Sequence, residues 1–171
     1  TEPSPVQRDA IPLVLEGHDI IAQAQTGTGK TAAFGLPIMS MMKADGSVEG
    51  LVIVPTRELA MQVSDELYRF GQKSGLKTAT VYGGTAYGKQ IDRIKQASIV
   101  VATPGRLQDL LMSGKIKLNP QFVVLDEADE MLDMGFLDEI KNIFTFLPKE
   151  RQTLMFSATM PGSIRKLAEQ I

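Results

Sequence analysis

Three unbroken apolar runs of strand length stand out along the chain: Leu51-Val52-Ile53-Val54, Ile99-Val100-Val101-Ala102 and Phe122-Val123-Val124-Leu125. Runs without polar alternation predict strands covered on both faces. Ile20-Ile21 and the mixed segments 78–82 and 153–156 read as further strands. Between them the apolar positions recur at helical spacing. Val6, Ala10, Ile11 and Leu13 to Leu15 mark a helix over 5–15 that Gly17 ends, and a second is predicted over 30–42. Ala60, Val63, Leu67 and Phe70 form a stripe running from Leu59. Shorter helices follow at 88–95 and around Leu107, Leu110 and Leu111. Phe136, Leu137, Ile140, Ile143, Phe144 and Leu147 make a strong stripe, and 161–171 reads as a last helix. Strands alternating with helices predict an α/β fold, a parallel β-sheet with helices on both faces. Ligands of such folds sit at the carboxyl ends of the strands.

The chemically unusual stretches all follow predicted strands, so the fold gathers them on one rim. The first is Ala-Gln-Ala-Gln-Thr-Gly-Thr-Gly-Lys-Thr at 22–31, after Ile20-Ile21 and before a helix. Glycines there let several N–H groups converge on one anion, and the helix amino terminus adds its positive dipole end. Lys30 can reach the β- and γ-phosphates of a nucleotide, and the Thr31 hydroxyl can ligate Mg²⁺. The general phosphate-loop pattern begins with glycine, whereas this chain has Ala24 there.

A second rim element is Asp126-Glu127-Ala128-Asp129, delivered by a wholly apolar strand. Nucleotide-bound Mg²⁺ keeps waters and takes few carboxylates, so Asp126 suits the ion and Glu127 can polarise a water. With Glu130 and Asp133 the stretch also reads as an acidic, solvated turn. The phosphate loop upstream favours the first reading. Thr103-Pro104-Gly105-Arg106 looks like a helix start, with Thr103 as cap and Pro104 at the first helical position. Thr56 and Arg57 offer a similar arrangement, and Gly83-Gly84 allows close backbone approach. Each alone reads as a plain cap or turn. Together they make three backbone-rich anion sites where one nucleotide needs only one. A second polyanion, such as a nucleic-acid backbone, explains the surplus, held by contacts that position a strand without reading its sequence.

Bulk properties narrow the picture a little. The chain of 171 residues suits one domain. Apolar residues make up 43% and charged residues 22%, ordinary for a globular protein, and no apolar run approaches a membrane span. Cysteine is absent, which excludes disulfides and thiolate metal sites. A net charge of −2 and a pI of about 5.5 argue against a globally basic nucleic-acid coat while leaving room for a local one. His18, the one histidine, reads as a surface turn residue, and the nine methionines as core filler. The chain starts at Thr1 and its last helix runs uncapped to Ile171, so an excised domain of a longer protein is expected.

Six motifs in order resemble the first RecA-like domain of DEAD-box RNA helicases: AQTGTGKT at 24–31, PTRELA at 55–60, GG at 83–84, TPGR at 103–106, DEAD at 126–129 and SAT at 157–159. They span nearly the whole chain, and alanine at position 24 is usual in that family. The resemblance also gives meaning to Pro3-Ser4-Pro5-Val6-Gln7, similar to the family's Q motif with Ser4 and Val6 as mild variants. It implies that Gln7 reads the adenine edge, hence ATP rather than GTP. The family's aromatic adenine partner lies upstream of Gln7 and is missing from this chain, so weakened adenine binding is expected.

By the same resemblance Thr26, Gly27, Thr28, Gly29, Lys30 and Thr31 hold the ATP phosphates. Asp126 and Thr31 serve the Mg²⁺, and Glu127 orients or deprotonates the water. Pro55, Thr56, Arg57, Gly84, Thr103, Gly105 and Arg106 fall where the family contacts RNA phosphates and 2′-hydroxyls. Asp129, Ser157 and Thr159 couple hydrolysis to domain closure and strand separation. The implied partners are RNA and a second RecA-like domain carrying an arginine finger. No membrane partner is expected, the isolated domain is expected to be a monomer, and the expected location is cytoplasmic or, in a eukaryote, nuclear. Two alternatives stay in view. A P-loop GTPase or small-molecule kinase lacks support, since no N-K-x-D motif and no arginine-rich lid are seen. An ATP-gated RNA clamp without productive hydrolysis would have no need of Glu127.

Overall fold

The computed structural model describes residues 2–25, 27 and 29–171; the predicted phosphate-loop residues Thr26 and Thr28 lie outside the described residues. In chain order the first half holds α1 (Pro5–Leu15), β1 (Ile20–Gln23), α2 (Lys30–Met41), β2 (Gly50–Ile53), α3 (Arg57–Gly71), β3 (Thr78–Val81) and α4 (Tyr87–Gln96). The second half holds β4 (Ile99–Ala102), α5 (Pro104–Met112), β5 (Phe122–Leu125), α6 (Ala128–Asp133), α7 (Leu137–Thr145), β6 (Gln152–Ser157) and α8 (Gly162–Gln170). The strands form one six-stranded sheet in the order β1-β6-β5-β2-β4-β3, and every pairing is parallel.

The three apolar runs lie inside this sheet and are buried throughout, because each face carries its own helix layer. Leu51, Ile53, Val100, Val123 and Leu125 point into a core shared with α5, α7 and α8, through Leu107, Leu110, Ile140, Ile143, Ile164 and Leu167. Their neighbours Val52, Val101, Phe122, Val124 and Phe156 join α1, α2 and α3 on the opposite side, through Val14, Phe34, Ile38, Val63 and Leu67. Period-two alternation therefore persists in direction while both directions are dry, which is why no polar residue marks it. Burial of each such side chain contributes about 1.5–3 kcal/mol. Phe34 and Phe156 seal the second core, their rings tilted with centroids 5.5 Å apart.

Register fixes the rim. Ile53 pairs with both Ala102 and Leu125, and Val81 with Ala102, so β2, β3, β4 and β5 end together, while Leu125 pairs with Met155 and β6, with β1 beside it, runs two residues further to Ser157. Hydrogen bonding runs one step past the strands: Val54 N–H donates to the Ala102 carbonyl at 2.9 Å, Asp126 N–H to Ile53 at 2.9 Å and Thr103 N–H to Val81 at 3.0 Å. The residues that leave the sheet are thus still aimed by it.

Several expectations change. Helix α3 begins at Arg57, two residues earlier than the apolar stripe, because the Thr56 hydroxyl accepts the Leu59 N–H at 3.2 Å. Phe70, placed on that stripe, is 38% exposed at the helix end. The acidic stretch goes on into the six-residue α6, whose Ala128 and Met131 are buried. Among the methionines, Met131 and Met155 are core residues, but Met61, Met112 and Met134 are exposed, so the filler reading fails for those three.

Candidate nucleotide site and nucleic-acid interface

Strand β1 carries the chain to Ala24, whose N–H donates to the Ser157 carbonyl at 2.9 Å and whose methyl is buried. A small residue suits a position pressed against β6. Gly27 and Gly29 then adopt φ of +85° and +80°, the left-handed region that favours glycine. Gly29 caps α2 without a side-chain bond, so the first N–H groups of that helix face the loop. Lys30 and Thr31 follow on its first turn, both buried.

Lys30 does not point to water. Its Nζ lies 2.8 Å from Asp126 Oδ1 and 3.5 Å from Glu127 Oε2. Asp126 is fully buried at the end of β5; burial pushes its carboxyl above the ordinary value, and the Lys30 charge and hydrogen bond oppose that push. Its Oδ2 is dry and finds no hydrogen-bond donor among the described residues. A dry carboxylate oxygen and the Thr31 hydroxyl, from two residues lining the same cleft, are hard-oxygen donors that fit Mg²⁺ held jointly with phosphate oxygens and water. No cluster of three or more His, Cys, Asp or Glu that could form an all-protein cage occurs among the described residues.

Glu127 has φ +56° and ψ +52°, a conformation costing a non-glycine residue about 1–2 kcal/mol. The strain turns its carboxylate, 22% exposed, toward the cleft beside Lys30. The cleft encloses about 200 Å³ and is closed on its far side by Gln62, Val63 and Glu66 of α3. Gln62 and Glu66 were not singled out from the sequence. The signal was available, since they are polar residues one turn apart flanking the Ala60-Val63-Leu67 stripe.

Gln7 makes a tertiary contact to the loop. It forms a capping box with Ser4, Oε1 accepting the Ser4 N–H at 3.1 Å and Ser4 Oγ accepting the Gln7 N–H at 3.4 Å. Its Nε2 donates to the Gly29 carbonyl at 3.1 Å. The side chain is therefore half-buried against the phosphate loop, not a solvated helix residue.

Two of the predicted anion sites meet around the segment after β3. The Arg57 guanidinium stacks 4.7 Å from the Tyr82 ring, and Gly84, with φ +86°, lies beside it. Arg106 Nη1 donates to the Thr85 carbonyl at 2.9 Å and to Gln90 Oε1 at 3.0 Å. Gln90, buried on α4, also donates to the Tyr82 carbonyl at 2.9 Å and to the Thr85 hydroxyl. It is the hub that sequence reading passed over; a glutamine one turn before Ile94 on the buried stripe was its signal. Pro104 occupies the predicted first helical position and Thr103 the N-cap position before it, with extended backbone, but the Thr103 side chain makes no capping bond, which corrects that part of the expectation. Thr56 does cap α3, Pro55 is buried and Gly105 is exposed.

The Ser157, Thr159 and Asp129 group is assembled. Ser157 Oγ donates to the Thr159 carbonyl at 2.6 Å, while Thr159 N–H and Oγ1 donate to Asp129 Oδ2 at 3.1 and 2.9 Å. Burial alone would raise the Asp129 carboxyl, but the Thr159 hydroxyl and N–H bonds outweigh it and hold it below the ordinary range. His18 stands apart, exposed, 3.2 Å from Glu16.

The chain is similar along its length to known proteins. The family model described as DEAD/DEAH box helicase matches residues 4–167. The DEAD-box ATP-dependent RNA helicase RhpA of Helicobacter pylori is 58% identical over 100% of this chain and 35% of its own length. CshA of Bacillus subtilis, also named a DEAD-box ATP-dependent RNA helicase, is 51% identical over 99% of this chain and 35% of its own. The crystal structure of a DEAD box protein from the hyperthermophile Methanococcus jannaschii superposes with a TM-score of 0.95 at 44% identity, covering 98% of this chain and 47% of that one. The chain thus spans about a third of the length of the curated relatives it matches.

Proposed function

The chain belongs to the DEAD/DEAH box helicase family, and from that premise we propose that it is the ATP-binding, amino-terminal RecA-like domain of an ATP-dependent RNA helicase. The observation that carries this reading is the meeting of Lys30, Asp126 and Glu127 in one cleft at the head of α2. On ATP entry Lys30 exchanges its carboxylate partners for phosphate oxygens, and the N–H groups at Gly27, Gly29 and the first turn of α2 receive the chain of phosphates. Thr31 and Asp126 are the residues that would hold Mg²⁺; bound there, the ion neutralises charge on the β- and γ-phosphates. Freed of Lys30, Glu127 accepts a proton from the attacking water. Gln7 serves the adenine edge by giving up its bond to Gly29, which links base recognition to the loop's shape.

The rim of Arg57, Gly84, Thr103, Gly105 and Arg106, with Pro55 and Thr56 setting the start of α3, would hold an RNA backbone with little base preference. Asp129, Ser157 and Thr159 would relay cleft closure. The relatives' greater length supports a second RecA-like domain that completes both sites and supplies an arginine to the transition state, a contribution of about 10³–10⁵ in rate. Among the described residues no helix is long and apolar enough to cross a membrane, and a cytoplasmic location and a monomeric state for the isolated domain belong to the same proposal. Competition for a fluorescent ATP analogue in the presence of Mg²⁺ tests the base assignment: ATP and ADP displace the probe and GTP does not. Efficient displacement by GTP would move the chain to another class of P-loop enzyme.

A further inference from the structure

The cationic surface does not stop at Arg106. Tyr87, at the start of α4 and 38% exposed, carries two cations on its ring: Arg106 Cζ at 4.2 Å and Lys115 Nζ at 4.5 Å from the centroid. Lys115 leaves α5 and, with Lys95 and Lys117, lines a concavity of about 310 Å³ floored by Ile91, Ile94 and Ile116. None of these lysines forms an ion pair among the described residues. Arg106 and Lys115 thus sit within about one Debye length of each other at 0.1 M salt. The Tyr87 ring offsets part of their repulsion, and its hydroxyl donates to Asp109 Oδ2 at 3.5 Å. Such a surface gains when a polyanion displaces its counterions.

We propose that Tyr87, Lys115, Lys117 and Lys95 carry the RNA backbone onward from Arg106, over the face between α4 and the 115–119 segment. This rests on the RNA reading above and extends it to a partner strand longer than the rim alone can hold. Two observations favour RNA over an acidic protein segment. The patch is continuous with the rim through Arg106, which is itself tied to the Thr85 carbonyl. At the junction the Tyr87 ring also holds a guanidinium and an ammonium side by side, which sets their donors toward phosphate oxygens.

Binding of the chain to labelled oligouridylates, one short (about 6 nucleotides) and one long (about 14 nucleotides), tests this across a salt series. The double variant Lys115→Gln, Lys117→Gln loses affinity for the long strand by about 10- to 30-fold at 0.1 M salt and lowers the salt slope by about 1.4, while short-strand affinity holds. Tyr87→Leu shows a similar but smaller length-dependent loss that Tyr87→Phe does not. Equal losses on both lengths, or none on either, overturn the extended path; in the second case the patch serves another partner. Arg57→Gln weakens both lengths alike, and an Arg57→Gln chain that binds both strands as tightly as the unmodified chain refutes the RNA reading of the rim, and this inference with it. Circular dichroism melts confirm that each variant is folded.

Discussion

Replacing Gly29 with alanine tests the contact between α1 and the phosphate loop. Three costs follow from the geometry. Alanine at φ +80° pays the left-handed penalty of about 1–2 kcal/mol. The new Cβ would run into Gln7 Nε2, ending the Gln7 bond to the Gly29 carbonyl, a loss of about 0.5–1.5 kcal/mol. It would also stand 3.0 Å from Ser4 Oγ, and loosening that capping box costs up to about 1 kcal/mol. The sum is about 1.5–4.5 kcal/mol, a drop of about 0.8–2.2 M in the urea midpoint for a slope of about 2 kcal/mol/M. A double-mutant cycle isolates the contact. With Gln7→Ala in place the collision with Gln7 and its hydrogen bond are gone, so Gly29→Ala costs the backbone strain and the approach to Ser4 Oγ alone, and the pair falls short of additivity by the shared Gln7–Gly29 bond, about 0.5–1.5 kcal/mol. Additive costs, within about 0.5 kcal/mol, would show that Gln7 does not rest on the loop.

Two further outcomes follow from the site. Thr159→Val removes the hydroxyl bond to Asp129. Because the Asp129 carboxyl is held below its ordinary 3.8, its contribution is present above that value and is lost as pH falls through the lower folded value. The variant is therefore less stable near neutrality, by under about 1 kcal/mol at this water-exposed pair, and the difference narrows below the ordinary carboxylate range, as acid-denaturation curves will show. Tested without the second domain proposed above, residues 1–171 bind ATP but turn it over slowly and without RNA stimulation; robust RNA-stimulated turnover by these residues alone would contradict the proposed division of labour.

The apolar runs made the sheet legible, because strands dry on both faces leave unbroken hydrophobic spelling. The rim was legible for a related reason: its polar residues stand where those runs stop, and parallel register aligns the stops. Local reading failed where a residue's partner is distant in sequence or already spoken for. Gln7 looks solvated until Gly29, 22 residues on, is brought beside it. Thr56 and Thr103 precede similar helix starts, yet only Thr56 reaches its helix N–H. Arg106 reads as part of an anion site, whereas it is braced by Thr85 and Gln90, residues 21 and 16 positions away that only the tertiary fold brings to it. Acidic density hid α6, whose two buried residues, Ala128 and Met131, are too few to form a visible stripe.

The central claim is that Glu127, beside Lys30 and Asp126, activates the water that attacks ATP. RNA-stimulated ATP turnover by a protein joining this chain to the proposed second domain measures it directly. Glu127→Gln keeps size and hydrogen bonding and removes the base, so turnover falls by about 10²–10⁴-fold while ATP and RNA binding persist. Unchanged turnover in a variant that still binds both would contradict the account.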